Sequence, residues 1–154
     1  MSTSDSHYPQ ESEGYVRTAT GKGQVLALRY IIPDLESVFG RAPELIKFSN
    51  EQIGNPYDRD LVLVGGQNTN RLSKEFLGGL SEFPVTIDKS GFIWDGERFD
   101  PILSGNSVLE DFGIVVKAPN SKLDRTTAVM FSGFHTYGTA AAAKYFTETL
   151  AQNP

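Results

Sequence analysis

The sequence predicts an α/β fold: one three-layer domain around a mixed sheet, with a parallel core and an antiparallel hairpin near one edge. Two junctions carry that expectation. Asp60-Leu-Val-Leu-Val-Gly-Gly-Gln-Asn-Thr-Asn70 and Thr126-Thr-Ala-Val-Met-Phe-Ser-Gly-Phe-His-Thr-Tyr-Gly-Thr139 each pass from an apolar run through a small-residue turn into a helix-like segment. That is the strand, turn and helix order from which parallel α/β sheets are built. The third observation is size, since 154 residues with 39% hydrophobic and 21% charged residues suit one domain with a real core.

Each element follows from local pattern. Residues 1–13 offer Ser, Asp and Glu and little to bury, so they read as a flexible tail, and the domain is expected over 14–151. A short strand from Gly14 runs into the turn Thr18-Ala-Thr-Gly-Lys-Gly-Gln24, after which Val25, Leu28, Ile31, Ile32, Leu35, Val38 and Phe39 recur at helical spacing. Pro33 should break or kink that helix, because it removes a donor and disfavours the α conformation at Ile32. Glu44–Ser49 is a weaker strand candidate.

Leu61–Val64 has no polar alternation, which marks a strand buried on both faces at the centre of a parallel sheet. From Asn70, the residues Leu72, Phe76, Leu77 and Leu80 recur at helical spacing, and Gly78-Gly79 frays the end. Val85-Thr-Ile87 and Phe92-Ile-Trp94 read as a hairpin, with Trp94 as a packing residue. Residues 101–110 read as loop. Phe112–Ala118 and Thr126–Phe131 flank a Pro119-Asn120 turn and should pair antiparallel, and Thr139–Leu150 is a helix whose alanines suit close approach to a sheet.

Composition removes whole classes of chemistry. With no cysteine, disulfides, thiolate catalysis and cysteine zinc sites are excluded, and two histidines, His7 and His135, cannot make a multi-histidine metal centre. No metal and no cofactor is expected. A net charge of −5 argues against tracking a nucleic-acid duplex. No apolar stretch reaches a membrane-spanning length, and the polar, acidic start lacks the pattern of a secretory signal, so the chain reads as cytoplasmic and without a membrane partner.

Three turns are the candidate site. In the first junction, Gly65 and Gly66 let a backbone or a ligand come close, while Asn68 and Asn70 offer caps and hydrogen bonds at a helix start. The turn lacks both the Gly-x-Gly-x-x-Gly spacing and the Lys-Ser/Thr of a phosphate loop. In the second, Gly133, Thr136, Gly138 and Thr139 surround His135 and Tyr137, and His135 is the candidate general acid or base, being the one side chain there whose ordinary pKa lies near neutrality. Ser132 lacks the nucleophile-elbow pattern of a hydrolase. The turn at Thr20, Gly21 and Lys22 should reach the same sheet edge, with Lys22 able to neutralise an anion. Asp58 and Asp60 should lie at the opposite end of the strand, which disfavours a paired-carboxylate site.

The Leu-Val-Leu-Val-Gly-Gly-x-x-x-Asn turn, together with the later apolar strand, Gly-x-x-x-x-Gly-Thr and an Ala-Ala helix, resembles Rossmann-like domains of bacteria and archaea. These include S-layer and cell-wall-binding modules. A looser resemblance is to Rossmann-like sensors and effectors of bacterial nucleotide signalling and defence.

Three functions fit these residues. The first is binding of a small nucleotide-like or otherwise anionic ligand at the three helix starts, in a sensing or signalling context. The second is a nucleotide or nucleoside hydrolase or transferase with His135 as acid/base and Tyr137 orienting the substrate. The third is a protein-interaction or assembly module, a homo-oligomer or part of a larger multidomain partner, that docks through the hairpin edge from Phe83 to Phe99.

Overall fold

The computed structural model describes residues 21–39, 54–120 and 126–150. The tail, the strand from Gly14, the strand candidate Glu44–Ser49 and Thr20 lie outside the described residues.

Helix α1 spans Lys22–Phe39 and runs unbroken through Pro33. The lost hydrogen bond is tolerable because Pro33 and Arg29, whose carbonyl loses its donor, both lie on the exposed side. A 3-10 turn at Pro56–Asp58, capped by the Asn55 side chain, leads into β1 (Leu61–Val64). Helix α2 covers Arg71–Gly79. Next come five short strands: β2 (Val85–Ile87), β3 (Phe92–Trp94), β4 (Glu97–Phe99), β5 (Ile102–Ser104) and β6 (Ser107–Glu110). The chain ends with β7 (Gly113–Pro119), β8 (Thr127–Gly133) and helix α3 (Thr136–Tyr145), which continues as a π turn over Phe146–Leu150.

These strands form a β1-β8-β7 sheet, a β2-β3-β4 meander and a β5-β6 hairpin. The expected three-layer domain with a parallel core is therefore corrected. Among the described residues, parallel pairing is confined to β1 and β8, where Leu61 faces Ala128 and Val64 faces Phe131, and every other strand pair is antiparallel. Parallel neighbours need a long crossover, whereas the chain after α2 is spent on short strands joined by tight turns, which pair only antiparallel. The apolar run of β1 also misleads. Val62 is 38% exposed, and among the described residues β1 ends the strand order rather than sitting at its centre.

The turns of the inserted strands have visible causes. Asp88 accepts the N–H groups of Ser90 and Gly91 through Oδ1, closing the β2–β3 turn. Asp95 and Gly96, with φ of 51° and 79°, make the β3–β4 turn, where an Asp-Gly pair suits the twist of a hairpin. Gly105 takes φ of 57° between β5 and β6, which form strands where the sequence reads as loop.

Alternation along β8 divides the core in two. Val129 and Phe131 meet Ala27 and Ile31 of α1 and Ala142 and Ala143 of α3 on one face. Ala128 and Met130 meet Leu63 and Phe76 of β1 and α2 on the other. The alanines of α3 let it lie close to β8, and Phe146 closes that core edge-on to Phe131 at 5.2 Å. At the amino end of β1, buried Asn120 donates to the carbonyls of Pro56 and Arg59 at 2.8 Å each, pinning the 3-10 turn to the end of β7.

Candidate functional site

The carboxyl ends of β1 and β8 lie side by side, and the chain leaves them in opposite directions. β1 passes through Gly65 and Gly66 to α2 on one face, while β8 passes through Gly133 to α3 on the other.

Gly65 opens the first turn with φ of 99°, a conformation that side-chain-bearing residues rarely adopt. Its N–H donates to the Phe131 carbonyl at 2.9 Å, and its own carbonyl accepts from the buried Ser73 hydroxyl at 2.7 Å. Asn70 then starts α2: its Oδ1 accepts from Leu72 and Ser73 N–H, and its Nδ2 donates back to the Val64 carbonyl. Both halves of the amide are used, which is why Asn suits this position.

The second turn is held from outside. Asp111, at the end of β6, accepts the N–H groups of Phe112 and His135 through Oδ1 and that of Gly138 through Oδ2. His135 is the N-cap by position, yet its side chain makes no capping bond. The Asp111 carboxylate supplies the negative charge that the start of α3 favours. Gly138 has no room for a side chain there, because a Cβ would fall inside the Phe112 carbonyl. Thr139 completes the turn by accepting the Gly133 N–H at 2.9 Å.

The start of α1 joins them. Gln24, 9% exposed, accepts the Gly21 N–H through Oε1 and donates through Nε2 to the Thr69 hydroxyl at 3.2 Å. A Cβ on Gly65 would collide with that Gln24 amide, one on Gly66 with the Ser132 hydroxyl, and one on Gly23 with the Thr136 carbonyl. Gly21, Gly65, Gly66, Gly133 and Thr136 are thus brought to one place, with Lys22 exposed beside them and Tyr137 39% exposed on α3. Asn68 lies in the same turn as Thr69 and is engaged within the protein.

His135 is half-buried, with its ring edge-on to Phe134 at 5.1 Å. Phe134 stacks in the same manner on Phe92 of the meander at 6.1 Å. The His135 Nε2 is buried and has no hydrogen-bond partner. Asp60 lies at the far end of β1, where it accepts the Thr127 N–H at 2.8 Å, so no carboxylate pair faces His135 from that strand. Among the described residues no group of three or more His, Asp or Glu side chains could hold a metal ion.

No family model matches the chain, and no curated protein or solved structure is detectably similar to it. The resemblance of the two junctions to Rossmann-like modules therefore carries no activity over to these residues. No helix among the described residues is long and apolar enough to cross a membrane.

Sequence reading missed Gln24, Ser73 and Asp111. Gln24 and Ser73 look like ordinary helical positions until Gly65 is seen against them. Asp111 reads as a loop end because the N–H groups it holds belong to a turn distant in the chain. Trp94, read as a packing residue, is 57% exposed.

Proposed function

We propose that the chain is a binding module for a small polar ligand of nucleoside-like size, seated where the turns after β1 and β8 meet the start of α1. The observation that carries this reading is the divergence at those strand ends. Adjacent parallel strands whose helices depart to opposite faces leave a crevice between their turns, and open α/β sheets take ligands there. The unpartnered Nε2 of His135 supports it, since a buried nitrogen left without a partner in the free protein is satisfied when a ligand supplies one.

The internal capping refines the ligand. Asp111, Asn70 and Gln24 already take N–H groups at the three helix starts, so a phosphate meets few of the donors it would seek, and it meets the Asp111 carboxylate as well. Recognition through uncharged base and sugar groups, by His135, Thr136 and Tyr137, fits this arrangement better.

Thermal-shift and calorimetric titrations with a panel of nucleosides and nucleotides test the reading. Ligand at about 100 times Kd stabilises by about 2.7 kcal/mol, which raises Tm by about 5–10 °C for a chain of this size. Nucleosides should shift Tm at least as much as their triphosphates, and His135→Ala should weaken the effect. No shift from any member of the panel, or a shift unchanged in the His135→Ala, Asn68→Ala double variant, overturns the proposal.

A further inference from the structure

The inserted β2–β6 segment has a composition unlike the rest of the chain. Between Glu82 and Asp111 lie seven of the 19 acidic residues but only Lys89 and Arg98 of the 14 basic ones, so this stretch holds the entire net charge of −5. Arg98 is engaged internally by Asp88 and Asp100 at 2.8–2.9 Å. The same stretch exposes large apolar side chains: Trp94 is 57%, Ile102 50%, Leu103 55% and Leu109 67% exposed.

Strand register puts charge and apolar surface together. Trp94 of β3 lies directly across from Glu97 of β4, and Ile102 of β5 directly across from Glu110 of β6. Directly opposed residues project from the same face of a sheet, close enough for one partner side chain to touch both. Each pair therefore couples a glutamate to an exposed apolar group. A two-stranded hairpin is marginal in water by itself and gains from a covering layer, and among the described residues the β5-β6 sheet has no third strand.

We propose that this insert is a docking surface for a polypeptide segment of another protein that carries Lys or Arg beside large apolar side chains. Such a segment would set an aliphatic stem or aromatic ring on Ile102 beside Glu110, or a cation over the Trp94 face within reach of Glu97. A second copy of this chain is the poorer occupant: it would bring the same glutamates and the same excess of negative charge to the contact. Nucleic acid and anionic membrane are disfavoured on the same ground. None of Trp94, Glu97, Ile102 and Glu110 belongs to the β1–β8 junction, and docking on the insert does not depend on a ligand at that junction.

The chain has one tryptophan, so its emission reports on Trp94 alone. Titration with a short synthetic peptide of alternating Lys and Leu should shift that emission to the blue and weaken as salt is raised. A Glu/Leu peptide of equal apolar content, and a Lys/Ser peptide, should each bind at least about tenfold more weakly. The Glu97→Lys, Glu110→Lys variant, with far-UV circular dichroism matching the parent, should exchange its preference to the Glu/Leu peptide. Equal response to the Lys/Leu and Glu/Leu peptides, no response to either, or an unchanged preference in the charge-reversed variant overturns the proposal. So does a mass that rises with concentration in sedimentation and is abolished by Leu109→Ser, which would assign the face to a second copy.

Discussion

The Asp111 carboxylate receives the backbone N–H of Gly138 at 2.5 Å, so the end of β6 is fastened to the first turn of α3 by a residue that belongs to neither helix nor turn. The same carboxylate takes the His135 and Phe112 N–H groups. One side chain thereby fixes where the second glycine junction sits relative to the inserted strands.

Removing that cap tests its weight. Asp111→Ala should cost about 1–2 kcal/mol, the usual loss for a helix cap, lowering Tm by about 3–6 °C. Asp111→Asn should not restore the parent's stability, because both carboxylate oxygens accept N–H groups and an amide would turn its NH2 towards one of those donors. Equilibrium urea unfolding of the three proteins gives the ranking. Equal stability of the alanine variant and the parent would show that the cap carries no weight.

Gly66 and Ser132 form a pair that a double-mutant cycle can isolate. A Cβ on Gly66 would sit 2.5 Å from the Ser132 hydroxyl but 3.7 Å from its Cβ, an ordinary contact. Gly66 lies outside the positive-φ region, so alanine meets only this obstacle. Gly66→Ala should cost about 1–3 kcal/mol by overpacking. In a Ser132→Ala background the cost should nearly vanish, leaving a coupling energy well above the scatter of independent sites. Additive effects in denaturant unfolding would contradict this account of the contact.

Asp88 gives a pH prediction with a defined sign. Hydrogen bonding by Arg98, with the Ser90 and Gly91 N–H groups, holds its carboxyl down at about 2 rather than the ordinary 3.8. A carboxylate whose folded pKa is depressed contributes stability above its unfolded pKa, and that contribution fades as pH falls from about 4 through about 2. In Arg98→Ala the NMR titration of the Asp88 carboxyl should move back towards the ordinary value, and the acid-dependent loss in that window should shrink. An Asp88 midpoint that stays put would show that the turn N–H groups alone hold it.

Asn120 should be costly to truncate. It is 7% exposed, donates to the Pro56 and Arg59 carbonyls, and its own N–H reaches the Thr126 carbonyl. Asn120→Ala leaves two carbonyls without their donors at about 1–3 kcal/mol in total. Calorimetric unfolding should show the loss, with amide exchange quickening first around Tyr57. Unchanged exchange there would mean the 3-10 turn is held by other contacts, such as the Thr126 hydroxyl on the Tyr57 carbonyl.

Elements whose cause is local could be read from the sequence. Helix α2 follows from the spacing of Leu72, Phe76 and Leu77 behind the Asn70 cap, and the β7–β8 pair from two apolar runs around Pro119-Asn120. The shared edge of the turns after β1 and β8 follows from the same local order, because a strand followed by a glycine turn and a helix puts both turns at the carboxyl ends of parallel strands. What could not be read depends on distant partners. Nothing near Asp111 announces that it will cap α3, and the apolar run of β1 looks the same whether the strand is central or ends the order. β4, β5 and β6 are no shorter than β2 and β3, but Glu97, Arg98, Ser104, Ser107 and Glu110 dilute their apolar character and hide them, although Gly105-Asn106 between apolar pairs is a turn signal. Pro33 was overweighted because its exposed position in α1 is not visible in sequence.

The pairing of Leu61 with Ala128 also sets an order of events during folding. β7 and β8 can zip as neighbours, and the meander and the β5-β6 hairpin close over tight turns, so these form early and independently. β1 can join β8 only after the whole insert has been looped out between them, at an entropic cost that no local contact repays in advance. The junction at Gly65 and Gly133 is consequently completed after the hairpins rather than with them. Agents that slow or misdirect that final docking would leave a molecule with its hairpins made and its crevice missing.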